Sequence, residues 1–110
     1  MVTCRVYRIE VNGEYAGDII LEKRGRGTIY IVDFSILPGH QRRGVGRTVL
    51  ETIRSREKRL TAVTRKETLP FFLKSGFVLR KRMRDYYDTG VDGFYVVSSI
   101  PPISSGSVLL

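Results

Sequence analysis

The segment 38–47 constrains the fold more than any other part of the sequence, because the period of the hydrophobic residues changes there. Before it, residues 28–37 are rich in β-branched and aromatic side chains on both alternating faces, which indicates a central, covered strand. After it, Val45, Val49 and Ile53 recur at helical spacing. A buried strand is therefore expected to turn directly into an amphipathic helix through a glycine-containing segment.

The other segments predict an alternation of strands and helices. Asn12-Gly13 predicts an antiparallel hairpin within the first 27 residues. A second helix over 67–75, with Pro70 in its first turn, lies between short strands, and a loop at 86–90 joins the last two strands. The predicted order is β-β-β-α-β-α-β-β, an α/β domain in which two helices cannot cover both faces of a six-stranded sheet.

Length and charge limit the classes of function. The 110 residues fit one domain, with 1–100 expected as its folded part and 101–110 as a flexible tail. We expect a cytoplasmic protein, since no membrane-spanning run or signal peptide is recognisable and Cys4 is the single cysteine. Residues 42–84 carry 14 basic residues against three acidic ones, whereas 85–110 carry three aspartates and no basic residue. The middle of the chain should therefore attract anions.

The turn at 38–47 has the properties of an anion-binding site. Its glycines allow a tight turn and open the backbone to a ligand, and amide groups at a helix N-terminus attract phosphate. Arg42, Arg43 and Arg47 add positive charge. Neither the P-loop nor the dinucleotide-binding spacing of glycines is present. An ordinary strand-to-helix turn with solvated arginines would have the same pattern, so both interpretations stay open at this point.

Three segments, in order, resemble one known family. The segment 41–46 (QRRGVG) is similar to the Q/R-x-x-G-x-G/A signature of the GNAT superfamily of acyl-CoA-dependent N-acetyltransferases. The segment 71–77 (FFLKSGF) resembles the family's aromatic helix that ends in Gly-Phe, and 85–93 (DYYDTGVDG) resembles the Tyr-Tyr loop of protein N-terminal acetyltransferases, including the ribosomal-protein alanine type. The resemblance covers residues 28–97 and implies a GNAT-type fold with a mixed, mostly antiparallel sheet.

The resemblance also implies a binding site for acetyl-CoA as co-substrate and no metal. In the family, the strand before the signature splays from its neighbour and its backbone holds the pantetheine arm, while amides of the signature take the pyrophosphate. In this sequence, the resemblance assigns these cofactor-binding roles to Phe34, Ser35, Ile36, Gln41, Arg42, Arg43, Gly44, Val45, Gly46 and Arg47.

The implied reaction is direct attack of a primary amine, most plausibly a protein or peptide N-terminus, on the thioester carbonyl. The family often places a proton-donating Tyr at the position of Phe72, and phenylalanine cannot donate a proton. Tyr86 and Tyr87 are then the candidate acids, and Asp33 and Glu67 are the candidate bases. The side chains expected to bind the acceptor are those of Tyr86, Tyr87 and Asp88.

The sequence departs from the family in two further places. Arg65 stands near a position where the family frequently has an Asn that contacts CoA, and the strand and two helices that usually precede the hairpin have no counterpart. The sheet face that those helices would cover is then bare, and we expect a second copy of the chain to cover it, which makes a homodimer.

Other interpretations of the same residues stay open. A polar hairpin whose rings pack on the sheet is a second interpretation of the tyrosine segment, and a protein that binds CoA without catalysis is a second interpretation of the whole chain. The run Arg80-Lys81-Arg82-Met83-Arg84 is typical of a small nucleic-acid-binding module, although that interpretation leaves the glycine turn unexplained.

Overall fold

The computed structural model describes residues 3–25, 27–54 and 59–98. The strands are β1 (Cys4–Val11), β2 (Glu14–Lys23), β3 (Thr28–Ile36), β4 (Arg59–Thr64), β5 (Phe77–Asp88) and β6 (Val91–Ser98). The helices are α1 (Val45–Arg54) and α2 (Leu69–Lys74), and a single 3₁₀ turn covers Pro38–His40. The predicted order of elements is confirmed, whereas the expected tail at 101–110 lies outside the described residues.

One six-stranded sheet has the order β1-β2-β3-β4-β6-β5. The pair β3–β4 is parallel, because α1 returns the chain across the sheet, and the other four pairs are antiparallel. This is the mixed, mostly antiparallel α/β sheet that the sequence predicts. It places β3 and β4, the strands on either side of α1 in the sequence, at its centre.

Both helices pack on the same face of the sheet. Leu50 of α1 and Phe72 of α2 belong to one core together with Ile31, Leu60 and Ala62 of the two central strands. We call this side the helix face. Proline enters α2 in its first turn, as predicted, where its missing N–H breaks no helical hydrogen bond.

The opposite side, which we call the open face, carries residues that alternate with the core residues along each strand. No helix of the described chain packs on it, and Val6, Val32 and Val78 are 66%, 45% and 45% exposed. The expectation that 28–37 is covered on both sides is therefore wrong, although β3 is central. Val32 lies at a β-bulge opposite Ile20 and Leu21, which lets Ile31 and Phe34 both pack toward the core.

The last hairpin differs from its predicted form. The tyrosines expected in a loop at 86–90 lie on β5, which continues to Asp88, and the turn is confined to Thr89 and Gly90. A β-bulge between Met83 and Asp88, with Asp85 at φ 53°, bends this end of the strand. The basic residues of 80–84 lie exposed on the same edge strand, where positive charge opposes pairing with other strands.

No helix of the described ranges is long and apolar enough to cross a membrane.

Candidate active site

The central feature of the site is a gap between β3 and β4. The two strands pair from Thr28–Arg59 to Ile31–Ala62, and beyond that point β3 pairs with β2 while β4 pairs with β6. Residues 32–36 therefore diverge from Val63 and Thr64. Phe34, Ser35 and Ile36, which the sequence predicts to hold the pantetheine arm, all lie on the diverging part of β3.

The glycine turn stands at the helix-face side of this gap. Arg42 and Gly44 adopt φ values of 63° and 78°, so the chain reverses within 41–44 before α1 begins at Val45. The first amide groups of a helix have no acceptor within it, and they carry partial positive charge. The turn therefore presents donors beside the gap.

The arginines around the turn are exposed. Arg42 and Arg43 lie on the turn itself, and Arg47 forms an ion pair with Glu51 one helical turn later, with 3.3 Å between Nε and Oε2. Amide donors, a helix N-terminus and guanidinium groups together form a site whose chemistry fits a diphosphate.

The side chain of Gln41 connects the turn to β3. Its Nε2 donates a hydrogen bond of 2.8 Å to the carbonyl oxygen of Ile36. The side chain thereby ties the start of the turn to the end of β3. This contact holds the predicted pyrophosphate site and the predicted pantetheine strand in one relative position.

Gly46 allows α1, α2 and β3 to approach one another closely beside the turn. A Cβ at this position would lie 3.1 Å from the Phe71 ring and 3.6 Å from the Phe34 ring, so a larger residue would push α1 away from α2 and β3. The Phe34 and Phe71 ring centroids are 6.3 Å apart. Val45 packs against the core from the same helical turn.

Phe72 belongs to the core. It is 7% exposed, and its ring contacts those of Phe71 and Phe77 edge to face, with centroids 5.3 Å and 5.1 Å away. At this position the side chain contributes packing and no exchangeable proton.

The tyrosines reach the same gap over the open face. The ring of Tyr86 crosses β6 above Gly93, where an added Cβ would lie 2.8 Å from both the ring and the Val63 side chain. The Tyr87 hydroxyl donates a hydrogen bond of 3.0 Å to the carbonyl oxygen of Val63, just beyond the last β3–β4 pair. The two rings contact edge to face at 4.9 Å.

Two residues that the sequence argument did not single out for this site complete the tyrosine cluster. The phenols of Tyr30 and Tyr86 are hydrogen-bonded to each other, which links β3 to β5 across the sheet. The Arg65 guanidinium lies over the Tyr87 ring, 4.2 Å from its centroid. Gly93 is the one feature of the sequence that could have indicated this cluster, because glycine inside a strand often marks a close approach of another group. Tyr30 gave no such indication, because its contact depends on the order of the strands.

The phenols of Tyr30 and Tyr87 hold their protons tightly. Burial, followed by the hydrogen bond to Tyr86, raises the pKa of Tyr30 to about 12. Burial also raises the pKa of Tyr87, and the neighbouring Tyr86 adds to that rise while Arg65 opposes it. At neutral pH these phenols are proton donors rather than bases.

The aspartates of the hairpin are occupied by the hairpin itself. Asp88 and Asp85 each accept a backbone hydrogen bond of 2.7 Å, from Thr89 and Gly90 respectively. Asp92 accepts from the Asp85 amide at 3.0 Å and from Arg82 at 2.6 Å, and these contacts hold its pKa below the usual range. Their carboxylates thus shape the turn that carries the tyrosines.

The remaining candidate carboxylates lie apart from the hairpin. Asp33 is exposed on the diverging part of β3, opposite Ile20 and therefore on the open face. Glu67 is exposed before α2. Among the described residues, no group of three or more His, Cys, Asp or Glu side chains could hold a metal ion.

Comparisons with known structures agree with this architecture. The ribosomal-protein-S18-alanine N-acetyltransferase of Escherichia coli is 20% identical, with a TM-score of 0.73 over 96% of this chain and 75% of that one. A GNAT family acetyltransferase of Elizabethkingia anophelis with acetyl-CoA bound is 18% identical, with a TM-score of 0.71 over 84% and 74%. An aminoglycoside 6'-N-acetyltransferase complexed with coenzyme A is 10% identical, with a TM-score of 0.74 over 91% and 74%. At these identities the likeness concerns the fold.

Sequence comparison identifies the family. No curated protein sequence matches the chain. The family model of the acetyltransferase (GNAT) domain, however, matches residues 3–79, which include the glycine turn, both helices and the strands that form the gap. The chain therefore belongs to the GNAT acetyltransferase family.

Proposed function

We propose that this protein transfers an acetyl group from acetyl-CoA to a primary amine, and that the preferred acceptor is the N-terminal amine of a protein or peptide. The observation that carries the proposal is the placement of two different sites at one gap. The turn with its arginines stands on the helix face, and the tyrosine cluster stands on the open face. Two substrates could then approach from opposite sides and meet between β3 and β4.

The helix-face side would bind the CoA portion. The amides of 42–47 and the neighbouring arginines would take the diphosphate, and the diverging backbone of Phe34, Ser35 and Ile36 would hold the pantetheine arm. Acetyl-CoA itself supplies the activated thioester carbonyl. A backbone N–H at the gap can stabilise the developing oxyanion.

The open-face side would bind the amine and handle the protons. The amine attacks the carbonyl carbon, a C–N bond forms, and the C–S bond then breaks. Asp33 would accept the proton that the nitrogen releases, and Tyr86 or Tyr87 would donate a proton to the departing thiolate. The raised pKa of Tyr87 keeps its phenol protonated at neutral pH, and its hydrogen bond to Val63 holds that phenol at the gap.

A CoA-binding protein without catalysis is the second candidate. It is favoured by Phe72, which is buried in the core at the position where the family often has its acid. Thermal unfolding with and without acetyl-CoA tests the shared step, since a ligand that binds the native state raises Tm. Release of free thiol with peptide acceptors then separates the enzyme from the non-catalytic protein.

The role of the tyrosines is tested by Tyr87→Ala. We expect it to raise KM for a peptide acceptor about tenfold and to leave the Kd of acetyl-CoA unchanged, because Tyr87 lies on the open face. Tyr7→Ala, an exposed tyrosine on β1, is the matched control and should change neither value. An equal loss of both affinities in Tyr87→Ala would contradict the assignment.

We also propose that a second copy of the chain covers the open face on the β1–β2 side, where the exposed Val6 lies opposite Ile20, and leaves the tyrosine cluster open to the acceptor. Light scattering at micromolar concentration should give the mass of a dimer. A monodisperse monomer would remove this proposal.

A further inference from the structure

We infer that Arg65 selects the acceptor, and that the acceptors it favours carry an acidic residue directly after the amine-bearing residue. This inference rests on the proposed acetyl transfer and adds a substrate class to it. It follows from where Arg65 lies, from what holds it there, and from the absence of a carboxylate partner among the residues that the structure describes.

Arg65 is fixed beside the proposed acceptor site. It follows β4 directly, two residues beyond Val63, and its guanidinium carbon lies 4.2 Å from the centroid of the Tyr87 ring. The Tyr87 ring is itself held by its hydroxyl on Val63 and by the edge of Tyr86. When a guanidinium stacks on an aromatic ring, its N–H groups still point outward in the plane of the guanidinium, where they can donate to a carboxylate.

The charge of Arg65 is unmatched within the described residues. The side chain is exposed and forms no ion pair there, whereas the other arginine stacked on the cluster, Arg24 over Tyr30, is paired with Glu22. The nearby aspartates 85, 88 and 92 are bound to backbone amides of the hairpin or to Arg82. Among the described residues, Arg65 is therefore a cation next to the tyrosine cluster that has no carboxylate in an ion pair with it.

A cation at this place has two effects on an amine substrate. It disfavours a second positive charge, so it promotes the neutral amine that can attack a thioester. It also attracts an anion a few ångströms from the amine. The second effect depends on the peptide, because Asp or Glu as its second residue would place a carboxylate against Arg65, whereas Lys or Arg would be repelled by it.

The test uses the full chain and two peptides that differ only in their second residue, Glu or Lys. We expect kcat/KM to be about tenfold higher for the Glu peptide than for the Lys peptide, because KM is lower for the Glu peptide. Fluorescent forms of the two peptides should show the same order of affinity in equilibrium binding. The preference should shrink as salt is raised. Arg65→Gln should abolish the preference, and Arg65→Glu should reverse it.

Lys66→Gln is the matched control, because it removes one exposed positive charge from the next residue. It should leave the preference intact. Equal use of both peptides by the parent protein, or a preference unchanged in Arg65→Glu, would overturn the inference. Failure of acetyl transfer itself would be distinguishable, because the binding experiment would still rank the two peptides while no thiol was released.

Discussion

The two sides of the gap are built in different ways. The helix-face side is almost entirely one contiguous segment, 34–47, whose turn, arginines and helix start follow one another along the chain. The open-face side gathers Tyr30, Val63, Tyr86 and Gly93 from four different strands. A local site can be recognised in the sequence, whereas an assembled one is defined by the order of strands in the sheet.

Each side also depends on a glycine that makes room for a neighbour. Gly17 of β2 lies opposite Ile36 of β3. A Cβ added to Gly17 would overlap the backbone carbonyl oxygen of Ser35. Gly93 makes room for the side chain of Tyr86. A backbone atom held in a sheet cannot move aside as a side chain can, so the two glycines should differ in the cost of substitution.

Gly17→Ala should have the largest effect. The overlap with the Ser35 carbonyl would force β2 away from β3, at a cost of about 3 kcal/mol of unfolding free energy. Because Ser35 belongs to the predicted pantetheine strand, the Kd of acetyl-CoA should rise as well. Urea unfolding at constant m-value measures the first effect and calorimetry the second.

Gly39→Ala is the control for Gly17→Ala. Gly39 lies in the 3₁₀ turn with nothing within 4 Å of an added Cβ, so its substitution should change stability by less than about 0.5 kcal/mol. If Gly17→Ala were as stable as Gly39→Ala, the close approach of β2 and β3 would not be a constraint on the fold.

Gly93→Ala should have the second largest effect and should act on the other side of the gap. The added methyl group would displace the Tyr86 ring from β6, at a cost of about 2 kcal/mol. We expect kcat/KM for the acceptor to fall about tenfold with the Kd of acetyl-CoA unchanged.

A double-mutant cycle with Tyr86→Ala isolates that contact. With the ring removed, Gly93→Ala should cost about 1 kcal/mol less than in the parent chain. Strictly additive costs would mean that Gly93 accommodates Val63 alone.

The difference between the two sides also explains which features could be predicted from the sequence. The order of elements, the start of the helix near Val45 and the position of Pro70 followed from local periodicity and turn chemistry. The sequence predicts a loop at 86–90 that includes both tyrosines. The bulge with Asp85 in a left-handed conformation instead extends β5 to Asp88.

Long-range contacts account for the rest. Tyr86 and Tyr87 of β5 reach Val63 of β4 across β6, which lies between those two strands, and no local pattern encodes that order. The coverage of β3 was misjudged for the same reason. Both helices lie on one face, so apolar residues such as Val32 remain exposed on the other.

The smallest expected effect is a change in stability at alkaline pH, and it concerns the open face alone. The pKa of Tyr30 is raised to about 12 in the folded protein, against about 10 in an unfolded chain. A raised pKa means that folding favours the neutral phenol. Its contribution to stability is therefore complete below about pH 10 and is lost as the pH rises from 10 toward 12.

Tyr30→Phe should flatten the fall of Tm across that pH interval, because phenylalanine has no proton to lose. Tyr86→Phe sharpens the test: the hydrogen bond to Tyr86 is a cause of the shift second to burial, so its removal should lower the pKa of Tyr30 without returning it to the unfolded value. Ultraviolet titration of phenolate, compared between the parent and each variant, gives this pKa directly. An unchanged Tyr30 titration in Tyr86→Phe would mean that burial alone sets it. The link from β3 to β5 would then be a packing contact only.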